Sequence, residues 1–168
     1  MSATLAGSAR PSLGFLFSIA LPLYALDQAT KWWVFKNIPY GQDPRPSEWF
    51  QLCHWTNTGS AWGMFKDGNT AFIVLSFAAL IGLVVFYLRG AFPDALSRWG
   101  VALLVGGILG NLTDRLVHGH VIDFLLFNFG VWAFDPFPAF NVADSCICIA
   151  AGLFILGSFS GEPKRSSG

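Results

Sequence analysis

Only 12% of this chain is charged, yet the stretch GNLTDRLVHGHVIDF, residues 110–124, carries Asn111, Asp114, Arg115, His118, His120 and Asp123. Polar residues recur at three other places: Asp27 with Lys31, His54 with Asn57, and Asn141 with Asp144. Asp123 and Asp144, unlike Asp27 and Asp114, have no Lys or Arg within one helical turn in sequence. Two carboxylates brought close together cannot both ionise easily, so one keeps a proton while the other stays charged. Such a pair can hydrolyse a peptide bond: the ionised member takes a proton from water and the protonated member donates a hydrogen bond to the scissile carbonyl. On spacing alone a plainer reading stands beside this one, with Asp144 as a helix N-cap and Asp123 as a turn residue. Asp27 and Lys31 lie four apart in the acid-first order that favours an intrahelical ion pair. Asp114 and Arg115 are adjacent and cannot face each other on a helix, so each needs a partner elsewhere. The planar fork of Arg115 suits a carboxylate or a main-chain carbonyl.

These residues need elements to hold them. With 54% hydrophobic and 16% aromatic residues, the chain is too apolar for an ordinary soluble domain of 168 residues and reads as an α-helical integral membrane protein. A helix needs ~20 apolar residues to cross about 30 Å of hydrocarbon. Four stretches qualify, giving expected spans near 13–35, 70–88, 99–117 and 142–160 in a single membrane domain over 1–168. The uninterrupted part of the first, Leu13 to Leu26, has the length of a cleaved signal. Its apolar pattern resumes as WWVF after Lys31, and only Arg10 precedes it as a positive side chain, so a retained span is expected. Residues 36–69 and 118–141 then share one side of the membrane, and the tail 161–168 is expected to be flexible. The other side holds Arg10, Arg89, Arg98, Lys164 and Arg165 on short pieces, against Lys36, Arg45 and Lys66, which places both termini in the cytoplasm. Within the outer segments, WFQLCHWTNTGSAWGMF alternates enough for a small hairpin or strand on the membrane surface. FNFGVWAFDPFPAF, 127–140, is similar, with aromatics for the headgroup level.

On this topology Asp27, Asn57, Asp114, Asp123, Asn141 and Asp144 converge on one level at the outer membrane face, where ionisable groups are costly unless paired or functional. Gly106, Gly107 and Gly110 let neighbouring helices approach closely. With zero formal net charge and no run of Lys or Arg, nothing offers the basic surface that nucleic acid requires. Cys53, Cys146 and Cys148 lack CxxC or Cys/His spacing and read as small buried hydrophobes, and HExxH is absent, so no metal and no cofactor is expected. Ser60 with His54 six residues upstream lacks an orienting acid for a serine-protease dyad. His118 and His120 read as interfacial residues.

Four motifs occur in order: DQATK at 27–31, NTGSAW at 57–62, GGILGNLTDRLVHGHVIDF at 106–124 and FNVADSCI at 140–147. Together they make the chain resemble the lipoprotein signal peptidase (signal peptidase II) family, bacterial membrane aspartyl peptidases that process prolipoproteins, over roughly residues 13–160. The resemblance implies four transmembrane helices with a small extracytoplasmic β-cradle from segment 37–69 and a short periplasmic helix in the loop before span four. It implies that Asp123 and Asp144 are the catalytic pair, that Asn57, Gly59, Asn111, Arg115 and Asn141 line the pocket, and that Asp27, Lys31 and Asp114 support it. The implied substrate is a prolipoprotein whose Cys carries a diacylglyceryl group, cut on the N-terminal side of that Cys. Membrane lipid is the other expected partner, globomycin the expected inhibitor, the bacterial inner membrane the expected location and a monomer the expected state. Cys53, His54 and Ser60-Ala61-Trp62 depart from the more usual pattern, which puts pocket shape and substrate preference in question. The rival reading from another class is a small proton- or cation-coupled transporter or channel subunit using the same acids. Such sites usually lie at the bilayer midplane on interrupted, repeated helices, whereas these groups lie off-centre and no repeat is visible.

Overall fold

In the computed structural model, which describes residues 12–41, 45, 48–59, 68–129 and 138–160, the four apolar runs are helices. They are α1 (Leu13–Asn37), α2 (Gly68–Leu88), α3 (Ala95–His118) and α4 (Val142–Ser160). All four are long and apolar enough to cross a membrane, and the shortest, at 19 residues, extends about 28 Å. A helix pairs its backbone N–H and C=O groups within its own segment, which hydrocarbon surroundings demand.

The helices divide the work unequally. α2 is apolar all round, yet only Gly68 and Tyr87 of it are buried, and Val74, Leu75, Ile81 and Phe86 are more than half exposed. That is the surface of a helix facing lipid. α3 instead sits between α1, α2 and α4 and buries Val101, Ala102, Val105, Asn111 and Asp114. Small residues permit this: a Cβ on Gly107 would lie 2.6 Å from the Ala143 carbonyl oxygen, and one on Gly110 would collide with the Asp27 carboxylate. α3 begins four residues earlier than its apolar run because Asp94 caps it, accepting from the Ser97 N–H at 2.8 Å. It ends at Gly119, whose φ of 77° closes the helix in the left-handed conformation. Away from the polar end, Leu16, Ala20, Tyr87, Val101, Ala102 and Val105 form a compact apolar cluster.

Among the described residues two strands join the helices: β1 (Phe50–Asn57) and β2 (Val121–Phe127) pair antiparallel, Phe50 opposite Phe127 and Asn57 opposite Val121, with a register irregularity between Leu52 and Trp55. The sequence reading looks for a strand or hairpin within the aromatic segment after α1. Its partner instead follows α3 directly, in VIDFLLF. That run is buried at five of its seven positions, so it lacks the alternation by which a half-buried strand is recognised. Phe140 extends the pairing, donating its N–H to the Leu125 carbonyl at 3.0 Å and accepting the Leu125 N–H at 2.8 Å. The chain therefore returns along β2 immediately before α4 begins. Residues 60–67, 130–137 and 161–168, which include Ser60, the expected short helix and the tail, lie outside the described residues. Cys53 and Cys146 are buried, but Cys148 is exposed: α4 turns Ala143, Cys146 and Ala150 inward, and Cys148 lies off that face.

Candidate active site

The ends of α1 and α3 and the beginning of α4 meet the sheet, and the polar residues gather there. β2 turns Asp123 inward, where it is 3% exposed. Asn141, wholly buried, opens α4 as its N-cap. The Asp144 N–H donates to Asn141 Oδ1 at 2.9 Å, and the Asn141 N–H donates to Asp144 Oδ2 at 3.2 Å. This is a reciprocal capping arrangement, so Asn141 takes the cap position and Asp144 the third helical position. The Asn141 side chain also reaches across to β2, donating from Nδ2 to Asp123 Oδ1 at 2.8 Å. One asparagine thus holds both carboxylates.

Behind them lies a second layer. Lys31 Nζ is 2.8 Å from Asp27 Oδ2 and 3.0 Å from Asp114 Oδ2, with all three side chains at most 2% exposed. The i,i+4 pair read from the sequence is present, and Asp114 finds its partner on α1 rather than beside it. The triad also fastens the surrounding elements: Asp27 Oδ1 accepts the Ala143 N–H in the first turn of α4, and Asp114 Oδ2 accepts the Ile122 N–H of β2. Gln28 Nε2 adds donations to Asp114 Oδ1 and the Gly110 carbonyl. Buried charges persist when every lone pair finds a donor in this way.

Asn111 connects the two layers. Its Oδ1 accepts from Lys31 Nζ at 2.9 Å and from Asn141 Nδ2 at 3.2 Å, while its Nδ2 donates to Asp144 Oδ1 at 2.8 Å. The ammonium has no acceptor, so it fixes which end of the amide faces it, and the NH2 must then face Asp144. Asp144 consequently sits in the first turn of α4 and receives N–H donors from Asn111 and from the Asn141 backbone. Asp123 is placed differently. Burial first, and then the Asp144 charge, push its carboxyl up to about 7, against the pull of hydrogen bonds from Asn57 and Asn141 and of the Lys31 charge. Asn57 is oriented for that bond by its own turn, its Oδ1 accepting the Gly59 N–H at 2.8 Å.

Of the two partners its fork suits, Arg115 takes a main-chain carbonyl. Among the described residues it makes no ion pair within 4.0 Å. Nη1 donates to the Asn111 carbonyl at 3.4 Å, the guanidinium lies 4.9 Å over the Phe72 ring, and Nε is buried without a partner among the described residues. Its charge is nonetheless within electrostatic reach of Asp144 and Asp123.

The histidines group elsewhere. His54 is buried, its Nδ1 lies 3.0 Å from the Ile38 carbonyl, and both His54 and His118 pack on Phe35. Burial, then His118, holds His120 below the usual imidazole range. Cys53, on β1, has Sγ 3.9 Å from the Asp123 carbonyl oxygen of β2, and burial followed by the Asp123 charge raises its thiol to about 11, which keeps it protonated. Gln28 and Phe72 were not singled out from the sequence. A Gln inside an apolar span was a usable signal for the first; a Phe in an apolar helix carries none.

Comparison with known proteins follows the same lines. The family described as Signal peptidase (SPase) II matches residues 19–160. The lipoprotein signal peptidase of Aeromonas hydrophila is 40% identical over 155 residues, covering 88% of this chain and 89% of its own length. That of Shewanella sediminis is 36% identical over 157 residues, covering 89% and 85%. That of Neisseria meningitidis serogroup C is 41% identical over 144 residues, covering 82% and 85%. A solved bacterial membrane enzyme superimposes with a TM-score of 0.79 at 28% identity, over 95% of this chain and 96% of that one.

Proposed function

The chain belongs to the signal peptidase II family, and from that membership we propose that it is a multi-pass membrane aspartic endopeptidase. It removes the signal peptide from diacylglyceryl-modified prolipoproteins, cutting on the N-terminal side of the lipidated Cys. The observation that carries the catalytic assignment is Asn141, which donates to Asp123 and exchanges hydrogen bonds with Asp144.

The environments of the two acids divide the labour between them. Asp144, receiving donors from Asn111 and Asn141, is the base that takes a proton from the attacking water. Asp123, with its carboxyl raised to about 7, keeps its proton near neutrality and donates to the scissile carbonyl oxygen. As the tetrahedral intermediate collapses, the C–N bond breaks and the carbonyl reforms, returning to Asp123 the proton it gave the oxygen; the proton taken by Asp144 passes to the departing amine of Cys, and the Asp144 carboxylate is restored. Asn57, Gly59, Asn111, Arg115 and Asn141 line the pocket, while Asp27, Lys31 and Asp114 hold its walls together. Acyl chains anchor the lipidated Cys at the membrane interface. With both termini cytoplasmic, the sheet end lies at the outer face, so substrate anchoring and carboxylates coincide in depth. Holding the bond there supplies proximity. Globomycin is expected to compete at the same pocket, and the chain is expected to act as a monomer. The test is cleavage of a diacylglyceryl-modified prolipoprotein by the purified chain, with Asp123→Asn and Asp144→Asn as inert, folded variants; cleavage by either variant would overturn the assignment.

A further inference from the structure

Arg115 poses a problem that the carboxylates do not solve. A guanidinium on a long, flexible stem needs several contacts to hold one geometry. Here it has one 3.4 Å bond from Nη1, a buried Nε without a partner, and no ion pair within 4.0 Å among the described residues. The guanidinium also lies over the face of Phe72, 4.9 Å away in the second turn of α2. The same ring touches the other flank of the site: Gly59, at φ +79°, packs so closely that a Cβ there would collide with Phe72. That Gly59 N–H orients Asn57, which in turn donates to Asp123. Asn69 Nδ2, in the first turn of α2, also donates to the Arg115 carbonyl at 3.4 Å.

We infer that Phe72 is a positioning residue for the cleavage reaction, its ring face holding the Arg115 guanidinium beside the carboxylate pair while its body backs the Asn57–Gly59 turn. Phe72 lies in an apolar helix whose surface is largely exposed to lipid. Its position shows a different use: the ring's negative face stands in for the carboxylate that Arg115 lacks. A counter-carboxylate in that place would neutralise the cation, whereas a ring fixes it and leaves its donors available to substrate.

This inference rests on the proposed peptidase function, and the experiment separates the two. The full-length chain is purified in detergent with mono- and trifluorinated phenylalanines at position 72, beside Phe72→Leu. The readout is kcat/KM on a diacylglyceryl-modified prolipoprotein. Fluorine drains the ring face with little change of shape, so a packing role would give a flat series. A cation–π role gives a stepwise decline, reaching about two- to thirtyfold, with Phe72→Leu at or below the lowest point. A flat fluorine series, or Phe72→Leu equal to wild type, overturns the assignment of Phe72 and leaves the peptidase reading standing. A wild-type chain inert on verified substrate overturns the peptidase reading itself.

Discussion

Replacing Asp123 by Asn should stabilise the protein while abolishing its activity, and the size of the gain follows from the site. The carboxyl is 3% exposed, and its pKa rises from 3.8 to about 7, through burial first and the Asp144 charge second. At about 1.4 kcal/mol for each tenfold change, ionising it in the folded state costs about 4 kcal/mol more than in the unfolded chain. Between pH 4 and pH 7 the unfolded chain has released this proton while the folded protein retains it, so stability falls as pH rises through that window. Above pH 7 the penalty is complete. An amide at this position cannot ionise, and its oxygen still accepts the bond that Asn141 Nδ2 donates to Asp123 Oδ1. Unfolding free energies of both proteins, measured in the same detergent from pH 4 to pH 8, should therefore coincide at the acid end and diverge to about 4 kcal/mol in favour of Asp123→Asn at the alkaline end. A gap that does not change with pH, or a variant less stable at pH 8, would refute this reasoning.

Because Asp123 is assigned as the proton donor, kcat/KM should fall about tenfold per pH unit above pH 7; a profile flat to pH 9 would remove it from that role. Lys31→Met should leave the buried Asp27 and Asp114 carboxylates without their cation and cost about 3–5 kcal/mol, read from the unfolding midpoint. A loss below 1 kcal/mol would show that the triad is not holding α1, α3 and β2 together. Asp94→Ala should cost about 1 kcal/mol through the lost cap on α3, Asp94→Asn should cost little because Asn caps as well, and neither should alter cleavage per folded molecule.

The helices were legible because an apolar run of sufficient length has few alternatives, and the site was legible because polarity inside such a chain needs a reason. Asp27 with Lys31 could be paired from their spacing, and the glycines of α3 from their clustering. Strand β2 could not be read, because it is buried on both faces and its pattern is that of any short apolar run. Nor could spacing say that Lys31 bridges to Asp114 or that Asn141, rather than Asp144, caps α4: both depend on which elements meet, across 83 residues in the first case. Arg115 shows the limit most clearly. Its fork invited a carboxylate or a main-chain carbonyl; the fold supplied the Asn111 carbonyl and, beside it, an aromatic ring from a helix that sequence alone marks only as an apolar span.

The most direct test of the carboxylate pair is the mass of the product released from a diacylglyceryl-modified prolipoprotein by wild type, Asp123→Asn and Asp144→Asn, each confirmed as folded. The account requires that wild type yield a mature chain beginning with the lipidated Cys and that both variants yield none. Cleavage at that bond by either folded variant would contradict it.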